Sequence, residues 1–114
     1  VQPTAIVAHW RVFMNAPREP AARRIVEVLV AMQESSPLDL KLEPYHMGGF
    51  VASFRTVCQA ERWNDAVVEV LELAQRIAFD WRLAGNIACD PSGWTTRPRI
   101  PGVTAIHWTV GVRV

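Results

Sequence analysis

Three stretches of this chain alternate apolar and polar residues with a period of two, and that pattern is the tightest constraint on its fold. Across Ala5 to Met14, the residues Ile6, Ala8, Trp10, Val12 and Met14 fall in one set, while His9 and Arg11 fall in the other. Phe50 to Cys58 divides in the same way, with Phe50, Ala52, Phe54, Thr56 and Cys58 opposite Val51, Ser53, Arg55 and Val57. Val103 to Val114 sets Ile106, Trp108, Val110, Val112 and Val114 against His107, Thr109 and Arg113. Successive side chains of a strand point to opposite faces, so each stretch predicts a half-buried strand. The sheet they form needs a cover on its apolar side.

Two segments with helical spacing supply that cover. Ala21, Ile25, Val28, Leu29 and Met32 predict a helix over Glu19 to Glu34, ended by Ser35, Ser36 and Pro37. Val67, Val70, Leu71, Ala74, Ile77, Ala78 and Trp81 predict a longer one over Asn64 to Leu83, with Asn64 as N-cap and Gly85 as stop. Between the helices, Leu40 to Met47 reads as a strand, with Leu40, Leu42 and Pro44 opposite Lys41, Glu43 and Tyr45. Its proline places it at an edge. Gly48 and Gly49 predict a two-residue hairpin turn into Phe50, although Leu40 to Cys58 also reads as one long bent strand. After the second helix come a short strand candidate, Asn86 to Cys89, a turn over Asp90 to Gly93, and a proline-rich loop from Trp94 to Gly102.

The order strand, helix, strand, strand, helix, then one or two strands resembles the ferredoxin-like βαββαβ arrangement. That resemblance implies an α+β two-layer sandwich with an extra C-terminal strand and both helices on one face of an antiparallel sheet. With 114 residues, half of them apolar, the chain suits one domain over 1–114 with a single core. Its apolar runs are far shorter than the roughly 20 residues of a membrane-spanning helix, and no basic run precedes an apolar segment near Val1. A cytoplasmic protein is therefore expected, any signal peptide having been removed or never present. Cys58 and Cys89 lack zinc-ligand spacing and predict two reduced, mostly buried thiols.

Chemistry-bearing motifs are sparse. Gly48 and Gly49 lead into a strand, and neither GxGxxG nor a Walker lysine occurs. Ser92, in Asp90-Pro91-Ser92-Gly93, suits a turn better than a nucleophile elbow, and Cys58 belongs to the apolar set of its strand. His9 and His107 occupy the polar sets of strands expected to be neighbours. Without an acidic cluster beside them, they read as surface histidines rather than a metal or proton-transfer site. Trp10, Trp81 and Trp108 stand at core periods, whereas Trp63 and Trp94 lie at element boundaries, as local lids or as partner anchors.

The face turned from the helices is expected to display His9, Arg11, Lys41, Glu43, Tyr45, Ser53, Arg55, His107, Thr109 and Arg113. The net charge of +1 names no partner. An RNA-recognition sheet needs stacking aromatics on its central strands, and a dimeric barrel needs apolar residues there, so this polar face favours neither. We read the chain as a non-enzymatic protein-binding module without catalytic residues, metal or cofactor. Its partner contacts are expected at Arg11, Tyr45, Arg55, Trp94, Arg97 and Arg99. In size, composition and architecture it resembles the small α/β immunity proteins that bacteria pair with secreted toxins of the contact-dependent or type VI kind. That resemblance implies a cognate toxin as partner, and the lack of acidic charge argues against a nuclease. The alternatives are a small-molecule-binding protein or small enzyme using His9, His107 and Arg11, and an RNA-binding domain using Arg11 and Arg55.

Overall fold

The computed structural model describes residues 5–113, the side chain of Arg113 excepted, so the expected placements of that side chain and of Val114 lie outside the described residues. In chain order it contains β1 (Ala5–Met14), α1 (Glu19–Gln33), β2 (Leu38–Pro44), β3 (Phe50–Val57), α2 (Trp63–Ile77), β4 (Ala78–Phe79), β5 (Arg82–Ala84), β6 (Ser92–Thr95), β7 (Arg97–Pro98) and β8 (Val103–Arg113). Six strands form one sheet in the order β2-β3-β1-β8-β6-β5, with every neighbouring pair antiparallel. β4 and β7 form a separate two-stranded ribbon.

The register aligns the heaviest side chains across the middle of the sheet, where Trp10 on β1 pairs with Phe54 on β3 and with Trp108 on β8. Trp10 stacks on Phe54 with ring centroids 6.4 Å apart and donates its indole N–H to Thr56 Oγ1 at 2.9 Å. This bond satisfies a donor that burial cuts off from water. Ala22, Val26 and Leu29 of α1 and Ala66, Val70, Ala74 and Ile77 of α2 close over these rings to complete one core. Both helices therefore lie on the same side of the sheet. Among the described residues, no helix is long and apolar enough to cross a membrane.

Several elements depart from the sequence reading for identifiable reasons. α1 buries Ala22, Val26, Leu29 and Gln33, leaving Val28 half exposed. Two overlapping stripes were available in that helix, and periodicity alone does not choose between them. α2 begins at Trp63 with Arg62 as N-cap and ends at Ile77, well short of Leu83. Its last carbonyls are taken by tertiary donors instead of further helix: Trp81 Nε1 bonds Ala74 O, Arg99 Nε bonds Gln75 O, and Arg99 N bonds Ile77 O. The chain then turns extended at Ala78 to pair with β7.

Asn86 to Cys89 is a turn rather than a strand. Asn86 Oδ1 accepts from Ala88 N, and Asp90 Oδ1 accepts from Asn86 N, a side-chain bonding pattern that competes with a ladder. The added strands are β5 and β6 on either side of this turn, so they precede the last long strand instead of following it, and the expected loop from Trp94 includes the end of β6 and all of β7. The β2–β3 hairpin closes through residues 45–49 rather than two glycines, with Tyr45 N bonded to Gly49 O and Gly48 N bonded to Tyr45 O. Val112, expected on the buried side, is exposed at the end of β8.

Gly93 is fixed by packing, because its cross-strand partner Trp108 lies directly on its Cα and a Cβ there would overlap the indole. Gly93→Ala is therefore expected to lower stability by about 1–3 kcal/mol through overpacking. Urea denaturation monitored by tryptophan fluorescence checks this, and an unchanged midpoint would count against the close packing.

Candidate functional site

The open face is built by the odd-numbered residues of β1 and β3 and by their cross-strand partners. Arg11 pairs with Ser53 on β3 and His107 on β8, Ser53 pairs with Lys41 on β2, and His107 pairs with Trp94 on β6. One row across five strands thus reads Lys41, Ser53, Arg11, His107, Trp94. The adjacent row contains Arg55, His9, Thr109 and Ser92, and the row on the other side contains Glu43, Val51, Phe13 and Ala105. Same-face neighbours along a strand are about 7 Å apart, which sets the spacing between rows.

Over the first two rows lies an open basin of about 830 Å³, lined chiefly by His9, Arg11, Lys41, Ser53, Arg55 and His107. Asp39 reaches its rim because β2 bulges between Leu38 and Lys41, with Asp39 itself in the left-handed region at φ 53°. Its carboxylate pairs with Arg55. The same bulge turns Leu40, expected on the buried side, onto the basin wall. Among the described residues, neither Arg11 nor Lys41 has a carboxylate within ion-pair distance. The basin therefore presents two free cations.

Phe13 organises the third row. Tyr45 meets its ring edge-on at 5.2 Å, Trp94 does so at 5.8 Å, and the Arg11 guanidinium lies over it at 5.2 Å. These rings, with Met47, Phe50 and Ala105, line a cup of about 370 Å³ beside the basin. Met47 is 76% exposed and Trp94 39%, so this apolar corner is open to solvent.

Of the six expected contact residues, Arg11, Tyr45 and Trp94 thus converge on Phe13, and Arg55 lies beyond Arg11, in the row on its other side. Arg97 and Arg99 are held elsewhere. Arg97 pairs with Asp80 at 2.6 Å, and Arg99 stacks over Phe79 at 3.8 Å while bonding the end of α2. Phe13 itself escaped the sequence reading, though the signal was present: a large aromatic in the polar set of an alternating strand. Trp63 resolves as a local lid, donating its indole N–H to Ile87 O at 2.7 Å.

His9 pairs across strands with Thr109 and Arg55, and His107 with Arg11, so the two histidines lie in adjacent rows. Burial, then the Arg55 charge, lowers the His9 pKa; burial, then the Arg11 charge, lowers that of His107. Both cysteines are free; Cys58 is buried as expected, and burial together with the Glu69 carboxylate pushes its thiol up to about 12, whereas Cys89 is exposed, contrary to the expected burial. Among the described residues, no group of three or more His, Cys, Asp or Glu side chains is placed to hold a metal.

In comparisons with known proteins, no family model matches the chain, and no curated protein or solved structure matches it significantly. The functional reading therefore rests on this surface.

Depressed histidine pKa values carry a stability consequence. Below the ordinary value of 6.5 the unfolded chain binds more protons than the folded one, so this contribution is full above pH 6.5 and is lost as pH falls from there through the depressed folded-state values. The double variant His9→Gln/His107→Gln is expected to lose less stability between about pH 7.5 and 5.5 than the parent chain. Denaturant titrations at several pH values measure this, and parallel profiles would contradict it.

Proposed function

We propose that this chain is a non-enzymatic protein-binding module of the immunity-protein kind, acting in the cytoplasm by covering the working surface of a cognate bacterial toxin. The observation that carries the reading is the composition of the open face, where unpaired cations adjoin a solvent-exposed aromatic cup. Arginine and large aromatics are the residue types that dominate binding energy at protein interfaces, and the charges steer encounter. We also propose that β1-α1-β2-β3-α2-β8 is a ferredoxin-like unit, widened by the β5–β6 hairpin. That placement supports docking, because it lengthens the face and brings Trp94 beside Phe13.

Steric occlusion requires no reacting group, and the face offers a broad open basin instead of an enclosed chamber. On this reading Arg11, Tyr45, Trp94 and Phe13 form the central contacts, with Arg55 at their border. Arg97 and Arg99 belong to a separate contact region beside α2.

The test uses the product of a toxin gene adjoining the gene for this chain. Co-expression is expected to protect sensitive cells, and the purified pair to bind with an affinity that Arg11→Glu weakens by about 2–4 kcal/mol. Absence of both binding and protection would remove the proposal.

A further inference from the structure

We propose that the open face is a two-part receptor that reads a carboxylate and a large apolar side chain held about 7 Å apart on the partner. The inference rests on the docking reading above and specifies the chemistry of what docks. Its basis is the juxtaposition of two different rows. Arg11 and Lys41 flank Ser53 in one row, with no carboxylate partner among the described residues, while the next row holds Phe13, against whose ring Tyr45 and Trp94 lean edge-on from outside that row.

Charge complementarity selects the first element. An acidic side chain entering above Arg11 meets that guanidinium, the Ser53 hydroxyl and the Lys41 ammonium, and the carboxylate that lines the basin, Asp39, is already engaged by Arg55. A basic side chain entering the same place meets two like charges. Shape and polarity select the second element, because the cup of about 370 Å³ is walled by Phe13, Tyr45, Met47, Phe50 and Trp94 and stands open to solvent. Arg11 links the two: it lines the basin, and its guanidinium lies over the Phe13 ring that walls the cup. The two parts therefore recognise a pair of residues rather than two independent ones, and the row spacing fixes their separation. Residues i and i+2 of an extended segment meet that spacing on one face.

The probe is the peptide acetyl-Glu-Ser-Phe-amide, added to the ¹⁵N-labelled chain and followed by heteronuclear NMR. The expected result is saturable shifts at Arg11, Phe13 and the Trp94 indole N–H, with millimolar affinity that falls about tenfold when Gln replaces the peptide Glu or Ala replaces its Phe. Arg11→Gln, whose folding the same spectra verify, is expected to abolish the distinction between the Glu and Gln peptides. Equal shifts from acetyl-Lys-Ser-Phe-amide, or none from the Glu peptide at about 10 mM, would overturn the receptor. If a cognate toxin binds tightly while the peptides fail, the pairing rule is wrong and the docking module stands. If the peptides bind as expected and no toxin does, the receptor stands and the immunity role falls.

Discussion

The cross-strand meeting of Trp10 with Trp108 and Phe54 governs the rest of the molecule. Three large rings abreast on one side of β3-β1-β8 oblige both helices to cover that side. Strict alternation then commits His9, Arg11, Ser53, Arg55, His107 and Thr109 to the other. A slip of one residue in either ladder would exchange the two sets and bury several charges without partners. Packing beneath the sheet and polarity above it are consequences of the same register.

The surroundings of these rings are built to hold that register. Thr56 receives the Trp10 indole proton, Gly93 yields the space that Trp108 occupies, and Trp81 approaches Trp108 at 6.5 Å while bonding the last turn of α2. The same contacts explain why α2 stops early. Its terminal carbonyls are worth more to Trp81 and Arg99 than to another helical turn, so the chain is released into β4 and then into the β5–β6 hairpin. That hairpin carries Trp94 to the open face, where it joins Phe13. Core packing thus reaches the surface through one strand.

Much of this was legible in the sequence, and the misses share a cause. The long strands follow from period-two alternation, and the position of β2 at the sheet edge agrees with Pro44. The α2 terminus was not legible, because Ala78 and Trp81 continue the helical period although tertiary hydrogen bonds end the helix. The choice of stripe on α1 was equally hidden, since Val28 and Val26 satisfy the period alike. Asn86 carries a turn signal of its own, which the apolar Ile87 and Ala88 beside it mask, whereas Asp90 reads as turn from the sequence. On the open face, alternation places Arg11, Tyr45 and Arg55, whereas Trp94 reads as a residue of the proline-rich loop and only its pairing with His107 brings it to that face. Phe13 was not, because a search for polar groups passes over an aromatic among them. The bulge that brings Asp39 to Arg55 depends on a left-handed residue that only coordinates reveal.

On the proposed reading, the helix-free side of the sheet is the working surface. The direct measurement is amide hydrogen exchange of the chain with and without its bound partner, read at residue level. New protection is expected along β1, β3 and the 45–49 turn, centred on Phe13, with the exposed faces of α1 and α2 unchanged. Protection confined to the helices, or to the segment around Arg97 and Arg99, would contradict it.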